Sequence, residues 1–600
     1  MNQIECDVVV IDSGITEKCY KDNVNKIVGF KSFGQNNNSY IDNNGHGTAI
    51  FSRISEKNNA SIFVIKIFDE SLEVNEQLFI EVLTYIYKNI NCKIINMSLG
   101  LVQCENRQTI EDLCLKITHK GTLIISAFDN AGAVSYPAAF PFVIGVDSST
   151  ECVRKSDYIL VENSIIDIMG FSRLQRVKWL EQVPFAFVSG SSFAAANITQ
   201  RLITYMLKSG LKSLDHPAAK KILAEGALKT QVFSEKKELV RFPKIKKAIA
   251  FPVNKEITSL VNYSQLLPFD LVDLYDFRVT GKVNKNITSI YKHKSFVIKD
   301  VDSINWEEDF DTVIIGHVHE LEKILNFDII SAYKDKCSKY HKQMICFDFL
   351  NEFDEKDPNI YYTPSINNKH ISYQNGKLAL INTPVLGVWG TSSHQGKFTV
   401  QLFLRNAFLD SGYKVAQLST EPSGFLFGMD SIIPMGYNSS INMNFRETIC
   451  YVNQEMHRLE TKCPDIILVG AQSNTTVYFP GNIAQYPTAQ LELLLGSMPD
   501  AVLLCVNAFD DVEYIQRTIN TIESVSYAKV LALGLYPLSK KTDYILSKRE
   551  LISDLDIMNI KEKLKSCFSR PVFTIGDECE MNSIYDFVIK WFSEEGESQY

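Results

Sequence analysis

The chain has 600 residues, 45% of them apolar, and a formal net charge of −9. That length exceeds one hydrophobic core and calls for two to four domains, while the acidic balance and the lack of a long basic run exclude nucleic acid as the favoured partner. No run of 18 apolar residues suits a membrane span, the opening MNQIECDVVVIDSGI lacks the regions of a secretion signal, and 13 scattered cysteines without a C-x-x-C pair suit reduced thiols in a cytoplasm.

In chain order, ECDVVVID (5–12) is a β-branched apolar run ending in an acid, as in a buried parallel strand with a functional group at its C-terminal edge. A strand over 61–69, a helix over 75–90 and a strand over 92–100 follow. A helix over 110–120, strands over 122–129 and 141–148, and a helix over 191–210 stopped by Gly210 complete an α/β pattern with a parallel sheet. The charged stretch 235–252 reads as a linker. Strands are expected at 271–277, 310–319 and 343–350, with one helical segment over 320–342 between the last two. After a polar stretch, 351–377, βαβ alternation resumes with strands at 378–390, 413–420, 464–472, 499–510, 528–537 and 571–577.

Three short motifs carry nucleophile chemistry: VVVIDSGI with Asp12, NGHGTAI with His46 and SGSSFAAANITQ with Ser192. A serine hydroxyl becomes a nucleophile when an imidazole takes its proton, and an acid behind that imidazole sets its tautomer and stabilises its charged form. Gly45 and Gly47 permit a tight turn beside His46, and Ser192 opens a helix whose positive end lies near its oxygen. Singly, each motif also describes a turn or an N-cap. Together, with His46 placed 34 residues after Asp12 and Ser192 146 after His46, they resemble the subtilase family of serine peptidases.

That resemblance extends to INMSLG (95–100), similar to the family's substrate-binding segment with Ser98, Leu99 and Gly100, and to AFDNAG…YPAAFPFVIGV (127–146), similar to its oxyanion and specificity region. It implies endopeptidase cleavage through an acyl-enzyme, with substrate backbone added to the Ser98–Gly100 segment as a strand. Two departures stand out. Ala196 occupies the position of the family's proline after the nucleophile. Direct alignment puts Asp129 where an oxyanion amide is needed, with Asn130 one place later. An ionised carboxylate has no proton to donate, so Asn130 is the favoured donor, with a protonated Asp129 the alternative. With the Asp motif beginning at residue 7, no inhibitory propeptide is expected.

The segment LGVWGTSSHQGKFTVQLFLRNAFLDSGYKV (386–415) reads as strand, glycine-rich loop, helix and strand, an anion cradle in which Lys397 reaches phosphate oxygens and Thr399 supplies a hydroxyl for Mg²⁺. Gly390, Thr391, Gly396, Lys397, Phe398 and Thr399 are the candidate contacts. These residues resemble the DUF1611 proteins, whose loop is similar to that of dethiobiotin synthetase. The downstream blocks ILVGAQSN (467–474) and LLLGSMPDAVLLCVNAFD (493–510), and a Rossmann-like block, LYDFRVTGKVNKN (274–286), extend the likeness. His317 and His319, two apart at a strand end, have no acidic or cysteine partner at ligand spacing and read as ordinary structure.

The expected architecture is α/β throughout: a subtilisin-like parallel-sheet domain (1–245), a small Rossmann-like domain (255–377) and a P-loop NTPase-like domain (378–600). The expected function is cytoplasmic cleavage of a peptide or protein, with ATP or GTP and Mg²⁺ at the P-loop and neither nucleic acid nor membrane as partner. By analogy, the substrate is a co-encoded precursor whose leader is removed in a peptide natural-product system. The rival readings are a nucleotide-dependent amide-forming synthetase with an accessory peptidase, and a nucleotide-gated regulatory or defence protease.

Overall fold

A computed structural model describes residues 3–33, 39–69, 71–72, 74–233, 244–289, 294–348, 359–363, 365–371, 376–435, 439–481, 486–542 and 547–596. The first part of the expected linker, through residue 243, and residues 351–358, 364 and 372–375 of the polar stretch lie outside the described residues. The chain divides into two compact units: Met1–Glu235 with Ile371–Leu380, and Lys236–His370 with Ile381–Tyr600. The described residues 376–380, which the sequence reading splits between a polar stretch and a strand, thus belong with the first unit. Among the described residues no helix is long and apolar enough to cross a membrane.

The first unit is built on a nine-stranded sheet in the order Thr230–Val232, Tyr158–Glu162, Ile168–Phe171, Ile144–Ser149, Leu123–Ala127, Ile90–Met97, Ile4–Asp12, Ile62–Lys66, Ile27–Ser32. All pairs are parallel except Tyr158–Glu162 with Ile168–Phe171. The central strand Ile4–Asp12 explains its own composition. Val8 and Val10 enter a cluster with Ile50, Phe51 and Leu202, whereas Val9 and Ile11 enter another with Phe79, Val82 and Ile110. A strand covered by helices on both faces has no solvated side, so an unbroken apolar run is required.

The helix Ser191–Ser209 ends where Gly210 adopts the left-handed conformation (φ 71°), as its position in the sequence predicts. Strands generally prove shorter than the apolar runs that announce them: 61–69 contracts to Ile62–Lys66 and 122–129 to Leu123–Ala127. The run 92–100 ends as strand at Met97, so Ser98–Gly100 lie beyond it.

The second unit holds two seven-stranded sheets. The first runs Asn286–Thr288, Ser295–Asp300, Asp270–Asp276, Lys247–Phe251, Thr312–Ile315, Gln343–Cys346, Ile360–Tyr362. It is parallel apart from its first pair. The helical run 320–342 is two helices, His319–Leu325 and Ile329–Lys339, because Asn326 turns left-handed (φ 46°) and Asp328 caps a new start. The second sheet, entirely parallel, runs Ser431–Ile432, Val415–Ser419, Ile466–Gly470, Val385–Gly390, Ala501–Asn507, Lys529–Tyr536, Val572–Thr574. Leu402, Phe427 and Met429 share an apolar cluster with Ala250, Ile257 and Leu274, which joins the two sheets' layers.

Phe51, fully buried on the inner face of the helix His46–Ile54, belongs to the first unit's core. Phe51→Ala is expected to cost about 3–5 kcal/mol, read by calorimetry as a fall of at least several degrees in that unit's unfolding transition.

Candidate active site

Asp12 is the last residue of the central strand and is wholly buried. His46 is the first residue of the helix His46–Ile54, and its Nδ1 lies 2.8 and 3.0 Å from the two carboxylate oxygens of Asp12. With both oxygens turned on Nδ1, that nitrogen carries the proton and Nε2 is the basic one. The turn before His46 is organised by a residue that the motif reading passes over. Asp42 Oδ1 accepts from the N–H groups of Asn44 and Gly45 and from the Ser13 hydroxyl, while Oδ2 accepts from the N–H and hydroxyl of Thr48. The Ser13 hydroxyl in turn accepts from the N–H of Gly47. Gly47 is obligatory for a steric reason: a Cβ there would lie 2.3 Å from the Gly14 carbonyl oxygen. The acid in DNNGHG was the available signal for Asp42, because Asp closes turns by accepting from N–H groups two and three residues on.

Burial alone draws the His46 pKa down, but the charge and hydrogen bond of Asp12, with Asp42 behind them, outweigh it and the net shift is upward. Folding therefore favours the protonated ring. Its contribution to stability is complete below the ordinary histidine pKa of about 6.5 and is lost as pH rises through the higher folded value.

Ser192 sits in the first turn of Ser191–Ser209, after Gly190. Its hydroxyl donates to the Ser98 carbonyl at 3.4 Å. Two further bonds hold this helix against the sheet. The Ser191 hydroxyl donates to the Phe128 carbonyl at 2.5 Å, and Thr199 donates to the Asn96 side chain, whose own amide donates to Ser98. The structure brings His46, Ser98, Leu99, Gly100, Asp129, Asn130 and Ser192 onto the wall of one open cavity of about 1060 Å³.

The two oxyanion candidates are differently employed. The Asp129 carboxylate accepts from the N–H groups of Ala131 and Ala133, at 2.7 and 3.2 Å, closing its own loop. The Asn130 side-chain oxygen accepts from the N–H of Ser191 at 2.9 Å, which leaves its NH₂ as the donor end beside the helix that carries Ser192.

In the second unit, Val385–Gly390 leads through a loop to Gly396, left-handed at φ 75°, and the helix Lys397–Asp410. Lys397 is 5% exposed, its Nζ donates to the Ser392 carbonyl at 2.6 Å, and burial pushes its pKa down to about 8. Thr391 and Asp510 are hydrogen-bonded, as are Thr399 and Tyr263. Phe398 turns its ring toward Tyr263 and Phe427, so only its backbone is placed to meet a ligand. The residues fit a phosphate group. A buried ammonium, a left-handed glycine and the amino end of a 14-residue helix converge on one loop.

His317, expected to lack an acidic partner at ligand spacing, has one: its Nδ1 lies 2.6 Å from Asp348, 31 residues on and two past the end of the neighbouring strand. Sequence spacing misses a partner that the sheet order supplies. Among the described residues no group of three or more His, Cys, Asp or Glu side chains forms a metal cluster.

With this geometry in place, likeness to known proteins can be stated. Residues 5–237 match the family described as the subtilase family, and residues 372–542 match the P-loop domain of unknown function DUF1611. The minor extracellular protease Epr of Bacillus subtilis is 31% identical over 157 residues, covering 24% of this chain and 23% of its own length. The chain spans less than half the length of the first two curated relatives it matches. A crystal structure of a DUF1611 family protein from Anabaena variabilis is 14% identical, covering 58% of this chain and all of its own, with a TM-score of 0.43. That of the epidermin leader peptide processing serine protease of Staphylococcus aureus is 14% identical, covering 37% and 69%, with a TM-score of 0.31. The chain thus joins a subtilisin-like region to a DUF1611-like P-loop region.

Replacing Asp12 by Asn is expected to lower the His46 pKa, because it removes the charge that holds the imidazolium. The ring ¹⁵N shifts of selectively labelled protein, followed from pH 5 to 9, measure this; an unchanged titration would place the stabilising charge elsewhere.

Proposed function

We propose that the first unit is a serine endopeptidase with Ser192 as nucleophile, His46 as general base and acid, and Asp12 as the group that orients and stabilises His46. The observation that carries this reading is that His46, its Nδ1 bonded to the buried Asp12, lies on the wall of the cavity that Ser192 also lines. Ser192 Oγ attacks the scissile carbonyl carbon while its proton passes to His46 Nε2, and the carbonyl π electrons move onto oxygen. The resulting oxyanion takes hydrogen bonds from the Ser192 N–H, one of the unsatisfied donors of a helix start, and from the Asn130 NH₂. His46 then gives the proton to the departing amine, leaving an acyl-enzyme. A water molecule, deprotonated by the same nitrogen, repeats the sequence and releases the acid. The substrate is an extended peptide segment bound along Ser98–Gly100, whose place just past the end of the strand Ile90–Met97 leaves it beside the cavity rather than inside the sheet.

The physiological substrate in this proposal is a cytoplasmic peptide or protein, a precursor whose leader is removed. Mass spectrometry of co-encoded precursor peptides incubated with the purified chain tests it: a single internal cut supports maturation, and indiscriminate degradation refutes it. The second unit is proposed to hold a phosphate-bearing ligand, ATP or GTP with Mg²⁺. Lys397 and the loop amides would hold the phosphates and Thr399 the cation, which would supply charge neutralisation there. The buried Lys397 ammonium favours this reading, since a bound phosphate would compensate its desolvation.

A fluorophosphonate probe should label the wild type and not Ser192→Ala; equal labelling refutes the nucleophile. Asn130→Ala should lower kcat by about 10²–10³, and Asp129→Asn by far less, because Asp129 serves its own loop; the reverse order of effects would move the donor to Asp129. Lys397→Ala should abolish nucleotide-dependent thermal stabilisation. That stabilisation is about 2.7 kcal/mol for a ligand at 100 times its Kd. Failure of both wild type and variant to respond to ATP or GTP refutes the P-loop reading.

A further inference from the structure

The loop that carries Asn130 is held in part by a piece of chain from far along the sequence. Leu378 N–H donates to the Gly132 carbonyl at 3.0 Å, and Val134 N–H donates to the Leu378 carbonyl at 2.9 Å. Ala379, 3% exposed, enters the apolar cluster of Leu101, Tyr136 and Val143. Directly before them stands Lys377. Its side chain is 8% exposed, and its Nζ lies 3.0 Å from Asp147 Oδ2 and donates to the Asp129 carbonyl at 3.2 Å. Asp147 belongs to the strand Ile144–Ser149, so the ammonium ties the loop to the sheet.

We propose that Lys377 is a positioning residue of the peptidase, which fixes the peptide group between Asp129 and Asn130 and thereby aims the Asn130 amide. This rests on the peptidase reading above. The Asp129 carbonyl belongs to the peptide unit directly preceding Asn130. Turning that unit swings the Asn130 Cα–Cβ bond. The loop's other restraints do not reach this carbonyl: the Asp129 carboxylate caps Ala131 and Ala133, and the Asp129 N–H donates to Ser135. A near-buried ammonium is tolerated only with partners of this kind; here its polar partners are a sheet carboxylate and that one carbonyl, with the Phe128 ring 5.5 Å away. Because a donor must stand within a few tenths of an ångström of the developing oxyanion, and the same donor is not needed to hold a ground-state peptide, the effect falls on kcat.

The experiment uses the full chain with fluorescein-labelled casein. Lys377→Met should lower kcat about tenfold with KM within twofold of wild type, and Lys377→Arg, which keeps a cation in place, should recover at least half of the loss. In an Asn130→Ala background, Lys377→Met should cost less than twofold, because the group it aims is gone. Wild-type kcat in Lys377→Met, or the same tenfold loss in both backgrounds, would overturn the proposal. Should Lys377→Met fail to fold, Asp147→Asn loosens the ammonium without removing it and should lower kcat in the same background-dependent way; equal loss in both backgrounds overturns the proposal here too. Loss of casein cleavage in Ser192→Ala is the separate control. If that variant cleaves casein as wild type does, the peptidase reading fails, and this inference with it.

Discussion

A carboxylate with no exposure to solvent needs compensation at once, and most of the first unit's local structure supplies it. Asp12 sits at the C-terminal edge of a parallel sheet, and its compensation comes from the Ser13 N–H and the His46 ring. For the ring to reach it, the helix bearing His46 must begin within a hydrogen bond of the strand's end. That requirement explains Gly47, which lets the helix start press against Gly14, and Asp42, which gathers five donors to hold the turn. The helix Ser191–Ser209 meets the same edge through Ser191, Asn96 and Thr199. Catalytic geometry of the proposed kind is thus a by-product of satisfying one buried charge and the polar groups around it.

Much of this was legible in the sequence, for definite reasons. A doubly covered strand must be apolar throughout, so VVVID announced both its burial and the acid at its end. The glycines flanking His46 and the Ser-Ser pair before an alanine-rich helix mark backbone geometries that few residues satisfy. What stayed hidden was anything made by side chains meeting across the fold. Asp348 finds His317, and Asn96 finds Thr199, only once strand order is known. The strands Tyr158–Glu162 and Ile168–Phe171 were missed as well. They are short, and Asn163, left-handed at φ 60°, follows directly on the first of them. The hairpin of Gln175–Lys178 with Phe185–Val188 is half exposed and lacks a clean alternation of polar and apolar residues.

The second unit shows the same economy with the opposite charge. There the buried group is the Lys397 ammonium, held by a carbonyl of its own loop, and the loop's other polar side chains bond among themselves and to Asp510. Gln395, fully buried, lends its side-chain oxygen to the Ser392 N–H. The departure from the strict phosphate-loop pattern at Thr391 has a local reason: its hydroxyl bonds with Asp510, a role a glycine could not fill.

The segment Ile371–Leu380 makes the first unit discontinuous along the chain, since Lys236–His370 belongs to the other unit. Translation runs in one direction. At about 5–20 residues per second, roughly 7–30 s separate the synthesis of residue 235 from that of residue 380. Throughout that interval the nascent polypeptide already contains Asp12, His46 and Ser192 but not the backbone that pairs with Gly132 and Val134. The first unit is therefore completed late, by a piece of chain that leaves the ribosome only after every strand of the sheet built around Lys247–Phe251 has been synthesised.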